Sequence, residues 1–207
     1  MSRFLIIVSL VAFSVVFNAQ SQLILDDIKP NYASALDEIS LFNHDSTIFR
    51  LDTYRNKQLT VYIFLGHQCP ICQKYGHKLR TFYQQFKEQN IDLIGIVPLR
   101  DVELPTIAEY AALYDFEFPV LSDKQRVLTD VFGATVTPEI VVVDNKGTQI
   151  YRGMIDNWFY ALGKYRRVTT EYYLQDALHS YLEGSEITVK ETDPIGCFIN
   201  MTSYQTN

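Results

Sequence analysis

The chain has 207 residues, enough for one domain with extensions. Hydrophobic residues make up 47% of it and aromatic residues 14%, which supports a sizeable core. A formal charge of −6 and the absence of any long basic run exclude the electrostatic footprint of a nucleic-acid-binding protein.

The first nineteen residues read as a secretory signal peptide, with Arg3 as the positive n-region and Phe4 to Phe17 as an apolar stretch interrupted only by serines. Ala19 offers the small residue for cleavage, although Phe17 stands where a small residue is preferred. Export predicts a periplasmic or otherwise extracytoplasmic location, where disulfides persist. A membrane becomes a partner only if this segment stays uncleaved, and its apolar run is shorter than the roughly 20 residues of a spanning helix. Residues 20–45 read as a mixed, polar N-terminal extension, and Asn43-His44-Asp45-Ser46 as a hairpin turn leading to a short strand over 47–51.

An apolar strand is expected at 59–65, then a helix from Pro70 to about Gln89 with Leu79, Phe82, Tyr83 and Phe86 at helical spacing. Asn90 ends it. A strand follows over 91–97, a helix over 104–114 and a short strand over 118–121. A helix starting at Ser122-Asp123 ends near Phe132-Gly133. Ile140 to Val143 reads as a buried strand, and Asp144-Asn145-Lys146-Gly147 as the turn of a hairpin returning over 148–152. The stretch 153–167 reads as a loop rich in aromatic and basic residues, which either caps the core or offers a partner surface of Trp, Tyr and Arg. A last helix is expected over 169–183. Alternation of strand and helix in the first half implies parallel pairing through helical crossovers. The expected domain spans 46–183, and 184–207 forms a C-terminal tail carrying Cys197.

Chemistry concentrates at Cys69-Pro70-Ile71-Cys72, the junction of strand and helix. Unpaired N–H groups and the positive end of the helix dipole favour a thiolate there. Such placement lowers a cysteine pKa from about 8.5 to between about 3.5 and 7.5. Pro70 suits the first helical position, where its missing N–H costs nothing. A structural disulfide and half of a zinc site are the competing readings. Zinc normally needs a second pair of ligands at similar spacing, and Cys197 is the only other cysteine. A redox dithiol is therefore the expectation, with no cofactor and no resident metal.

The element order, with a CxxC after the first central strand, resembles the thioredoxin fold: an α/β, three-layer architecture with a central mixed sheet flanked by helices. Val136-Thr137-Pro138-Glu139, just before a buried strand, matches the site where thioredoxin-like proteins carry a cis-proline against the active cysteines. Further stretches make the chain similar to a secreted redoxin branch of the AhpC/TSA (peroxiredoxin-like) families. They are Phe64 to Pro70, Gly133-Ala134, Tyr151-Arg152-Gly153, Ile155-Asp156-Asn157 and Gly196-Cys197-Phe198-Ile199. The chain departs from both groups. Peroxiredoxins place a threonine and a proline where Gly66 and Tyr62 stand, and thioredoxins a buried acid where Ile63 stands.

The resemblance implies that Cys69 is the more exposed, attacking thiolate and Cys72 the resolving thiol. Pro138 would line the groove, beside a backbone edge free to pair with an extended peptide. Thr137 and His67 are accessory candidates. His67, Glu139 or water would take the proton of Cys72 in place of the missing acid. Cys197 is either an accessory thiol docking near Cys69 or a small apolar residue of a packed tail, and Gly196 beside it favours a mobile role. Expected partners are protein or small-molecule disulfides and thiols, plus an upstream protein reductant or oxidant. The expected function is exported thiol-disulfide exchange in redox homeostasis. The alternatives are a thiol peroxidase using Cys69 and a copper(I) carrier using the thiols with a histidine such as His67 or His77.

Overall fold

The computed structural model describes residues 29–199, so the signal segment expected over residues 1–19 lies outside the described residues. The chain divides after Pro30, and the fold is that of the unit beginning at Asn31.

In chain order the elements are α1 (Ala33–Glu38), β1 (Ser40–Asn43), β2 (Ile48–Arg50), a 3-10 turn (Leu51–Asn56), β3 (Leu59–Phe64) and α2 (Pro70–Phe86). There follow β4 (Ile91–Val97), α3 (Leu104–Leu113), β5 (Val120–Ser122), α4 (Val127–Phe132), β6 (Val136–Thr137), β7 (Glu139–Asp144) and β8 (Gln149–Gly153). The chain closes with β9 (Phe159–Ala161), β10 (Lys164–Tyr165), α5 (Tyr173–Leu182) and β11 (Cys197–Phe198).

Seven strands form one mixed sheet in the order β2-β1-β5-β4-β3-β7-β8. The β3–β4 and β4–β5 pairs are parallel, joined through α2 and α3, as the alternation of strand and helix requires. The β3–β7 and β7–β8 pairs are antiparallel, the second through the turn at Asp144–Gly147. β3 and β7 are buried along their whole length, which is why they read as unbroken apolar runs.

Alternation of side chains sorts these strands into two cores. Leu59, Val61, Ile63, Ile140 and Val142 face α2, α3 and α5, together with Cys69, Cys72, Tyr75 and Tyr110. Tyr62, Phe64, Val141 and Val143 face α1 and α4, together with Leu36, Leu128 and Phe132. Burying each large side chain fully contributes about 1.5–3 kcal/mol, so both faces of the sheet add to stability.

Three segments differ from expectation. β1 lies within residues 20–45, yet it pairs with β2 and β5 inside the sheet. At four residues, with only Asn43 buried, it carries too weak an apolar pattern to be read locally. The helix expected from Ser122 begins instead at Val127, because the Asp123 carboxylate turns back to accept from the Thr129 N–H (2.8 Å) and hydroxyl (2.7 Å). The loop at 153–167 contains the small β9–β10 hairpin. Phe159 is buried there, and Trp158 packs edge-on to Tyr75 at 5.2 Å, so the stretch caps the first core.

The tail is integral to the fold. Ile187 is buried in the first core. The Arg152 N–H donates to the Lys190 carbonyl, and the Thr192 N–H to the Arg152 carbonyl, which ties the tail to the edge of β8. β11 then pairs antiparallel with β6, and Ile199 is buried in the second core.

Candidate redox site

Strand β3 delivers the chain to Gly66, and α2 begins at Pro70, so the two cysteines flank the mouth of a helix. Cys69 occupies the N-cap with extended backbone (φ −73°, ψ 116°) and makes no side-chain cap. Pro70 sits at the first helical position, where no backbone donor is lost. Cys72, one turn on, faces inward with Ile71, Tyr75 and Leu79. Opposite them the Thr137–Pro138 peptide bond is cis, as the resemblance implies, and Pro138 is buried.

None of the three cysteines is in a disulfide. The Cys69 thiol donates to the Thr137 carbonyl at 3.1 Å. As a thiolate it accepts from the Cys72 thiol first, and also from the Cys197 thiol and the backbone N–H groups of Cys72 and Cys197. Against the opposing effect of burial, these donors draw its pKa from 9.0 down to about 4. Burial pushes the Cys72 thiol well up, and the neighbouring Cys69 sulfur adds to the shift. The Cys72 sulfur accepts from the Gly66 N–H at 3.4 Å. The two thiols are thus split into one readily ionised group and one that holds its proton, the division of roles that exchange chemistry uses.

One expectation is narrowed and another is corrected. Cys69 is more accessible than Cys72, but only slightly: it is 5% exposed against 0%. It is not open to water, because β11 sets Cys197 against it. The backbone edge beside Pro138 is not free either. The chain's own tail takes it, with Cys197 opposite Thr137 and Phe198 opposite Val136. Gly196 has a packing role there. A β-carbon at this position would lie 2.3 Å from the Thr137 carbonyl oxygen, so glycine permits a close backbone approach.

Glu139 is removed from the proton-transfer candidates. It shares the sheet face of Val141 and Val143, opposite that of the cysteines. Fully buried, its Oε1 accepts from Arg152 Nε (3.0 Å) and Nη2 (2.6 Å), and its Oε2 accepts from the Thr135 N–H (2.9 Å). Arg152 also donates to the carbonyls of Phe132 and Gly133, both at 2.7 Å. The pair therefore braces the segment leading into Thr137–Pro138. His67 stays beside the dithiol in sequence. Its Nδ1 is buried without a hydrogen-bond partner among the described residues, and its carbonyl accepts from Gln73.

Sequence reasoning passed over Tyr110. Its ring is buried on α3, its hydroxyl has no hydrogen-bond partner among the described residues, and it lies within electrostatic reach of Cys72 and Cys69. No local pattern marks it, since the helix register that carries it also carries Ile107 and Ala111. Among the described residues no group of three or more His, Cys, Asp or Glu side chains is arranged to hold a metal ion. His77 sits instead against Tyr114, edge-on at 5.4 Å.

A mixed sheet between helical layers, with a dithiol at the mouth of α2 and a cis-proline facing it, defines a thioredoxin-like protein. Within that class the chain belongs to the AhpC/TSA family, whose model matches residues 33–152, more than half of its length. It is 27% identical over 84 residues to the thiol-disulfide oxidoreductase ResA of Halalkalibacterium halodurans, covering 41% of this chain and 47% of that one. It is 25% identical over 126 residues to the chloroplastic peroxiredoxin Q of Populus jackii, covering 58% of each. The chain thus spans about half the length of these curated relatives. In fold it is similar to a hypothetical protein from Sinorhizobium meliloti 1021, with a TM-score of 0.72 at 20% identity, covering 80% of this chain and 91% of that one.

Proposed function

We propose that this protein is a thiol-disulfide oxidoreductase in which Cys69 attacks and Cys72 resolves. The observation that carries this reading is the split between the two sulfurs. Cys69 is drawn down to about 4 by donors converging on it, while Cys72 is buried and holds its proton. The Cys69 thiolate attacks one sulfur of a partner disulfide, forming a mixed disulfide and releasing the partner's other sulfur as a thiolate. Cys72 then attacks Cys69, the mixed disulfide breaks, and the chain is left as Cys69–Cys72 while the partner leaves reduced. Pro138 and Thr137 form the wall facing the attacking sulfur. An upstream protein reductant regenerates the dithiol, which places the protein in redox homeostasis. The apolar segment within the first nineteen residues supports action outside the cytoplasm.

The test is reduction of insulin in the presence of dithiothreitol. The parent chain accelerates precipitation of the insulin B chain, and Cys69→Ser does not; equal activity in the two would falsify the assignment. The similarity to peroxiredoxin Q favours a second reading, a thiol peroxidase. Gly66 argues against it: it stands where peroxiredoxins carry the threonine that helps orient peroxide, and a β-carbon there would lie 2.9 Å from the Thr137 hydroxyl and 3.1 Å from the Cys69 β-carbon.

A further inference from the structure

Cys197 stands 60 residues beyond Thr137, yet β11 sets it directly opposite that residue in an antiparallel ladder. Four separate features hold the register. The Thr137 hydroxyl donates to the Cys197 carbonyl at 3.5 Å. The Ile199 N–H donates to the Thr135 carbonyl at 2.9 Å. Ile199 is sunk in the second core, and Gly196 lets the tail backbone close onto the Thr137 carbonyl. The same carbonyl accepts the Cys69 thiol, and the Cys69 and Cys197 side chains are within hydrogen-bonding reach, so the third sulfur is presented at the first. Of the three cysteines only Cys197 is more than marginally exposed. An extended, cysteine-bearing strand laid beside the proline is the arrangement expected of a bound substrate peptide, and here the chain supplies it in cis.

We propose that β11 is a tethered substrate, and that Cys197 is the port through which an external dithiol reduces the site. This rests on the reading of Cys69 as the exchanging sulfur. After turnover the disulfide is Cys69–Cys72. The Cys197 sulfur, deprotonated, attacks Cys69; the Cys69–Cys197 bond forms, the Cys69–Cys72 bond breaks, and Cys72 takes up a proton. This step is an isomerisation with no net oxidation. A thiolate of the reducing dithiol then attacks Cys197, and Cys69 leaves as a thiolate. The reductant's second thiolate attacks its own sulfur in the mixed disulfide and frees Cys197. Two electrons pass from reductant to protein; of the two protons released, one goes to Cys197 and one to water. Attack at Cys197 is the favoured sense, because Cys69 ionises near 4 whereas burial and the facing Cys69 sulfur hold Cys197 near 12, and the more acidic sulfur leaves faster. The partner implied is a compact dithiol reductant that reaches the rim of the site without displacing the tail.

Parent, Cys72→Ser, Cys197→Ser and Gly196→Ala chains are equilibrated in a glutathione redox buffer, quenched in acid and mapped by peptide mass spectrometry. The rate at which dithiothreitol reduces each oxidised chain is measured alongside by maleimide trapping. Cys69–Cys72 and Cys69–Cys197 linkages are both expected in the parent, and Cys69–Cys197 alone in Cys72→Ser. Gly196→Ala should keep Cys69–Cys72, which reports an intact fold, and lose Cys69–Cys197. Cys197→Ser should form Cys69–Cys72 yet be reduced more slowly than the parent. Absence of a Cys69–Cys197 peptide from both the parent and Cys72→Ser overturns the proposal, as does equal reduction of parent and Cys197→Ser. Those outcomes leave the assignment of Cys69 standing. Loss of that assignment shows separately, as a Cys69→Ser chain that still reduces insulin.

Discussion

The sulfur of Cys69 is both buried and acidic, and the two properties pull against each other. Burial alone raises a thiol pKa; here hydrogen-bond donors outweigh it. Because the folded value lies below the ordinary 9.0, ionisation stabilises the folded, reduced protein. That contribution is complete above the ordinary value and is lost as pH falls through about 4. The reduced parent should therefore gain stability over Cys69→Ser as pH rises from about 4 to 9, measured by urea denaturation across that range. Thiolate absorbance at 240 nm should show one group titrating near pH 4; a first midpoint near 9 removes the acidic-thiol account. Acidity does not by itself make a peroxidase, because peroxide must also be oriented. With Gly66 where peroxiredoxins carry threonine, hydrogen peroxide should oxidise Cys69 no faster than free cysteine thiolate in stopped flow.

At the scale of elements, the site depends on how β6 is held. Its edge is set by the Glu139–Arg152 pair, which ties Thr135 to β8 from the face opposite the cysteines. Removing one partner of a buried ion pair leaves an uncompensated charge, at a cost of about 3–5 kcal/mol. Arg152→Leu should lower stability by about that amount in urea, since Glu139 is fully buried. Glu139→Gln, which keeps neutral acceptor capacity at Oε1, should lose less. No loss in either variant argues that the pair does not brace the segment. Asp156 plays a comparable part for the aromatic stretch, accepting from the Tyr75 hydroxyl and from the Trp158 N–H at 2.8 Å. These bonds fix that stretch as a cap over α2.

For the whole molecule, the central strands and the tail differ in how they are secured. β3 is hydrogen-bonded on both sides and buried on both faces, whereas β11 is two residues long and among the described residues pairs only with β6. Protection against exchange follows buried contact and pairing, so openings that expose the tail cost less than global unfolding. Amides of Leu59 to Phe64 should exchange slowest, and the Ile199 amide, bonded to the Thr135 carbonyl, markedly faster. Equal protection of the two makes the tail part of the same cooperative unit as the sheet.

Much of this fold is local in origin and legible in sequence. The buried runs of β3, β4 and β7, the helix opened by Pro70, the left-handed Asn90 that ends the turn after α2, and the hairpin at Asp144–Gly147 each follow from residues close together in the chain. So does the cysteine pair, because its spacing to a strand and a helix is a short-range property; the proline opposite it is legible only through the resemblance to thioredoxin-like proteins. What sequence alone left open is long-range. β1 joins the sheet by pairing across the fold, Glu139 finds Arg152 through the strand register, and Cys197 meets Thr137 only once the tail has crossed the edge of β8. The burial of Cys69 belongs to this second group: an N-terminal helix position predicts an acidic sulfur, but only the path of the tail decides what covers it. Local propensity and spacing act over a few residues, whereas the accessibility of the dithiol is set by a contact between segments that no short-range rule connects.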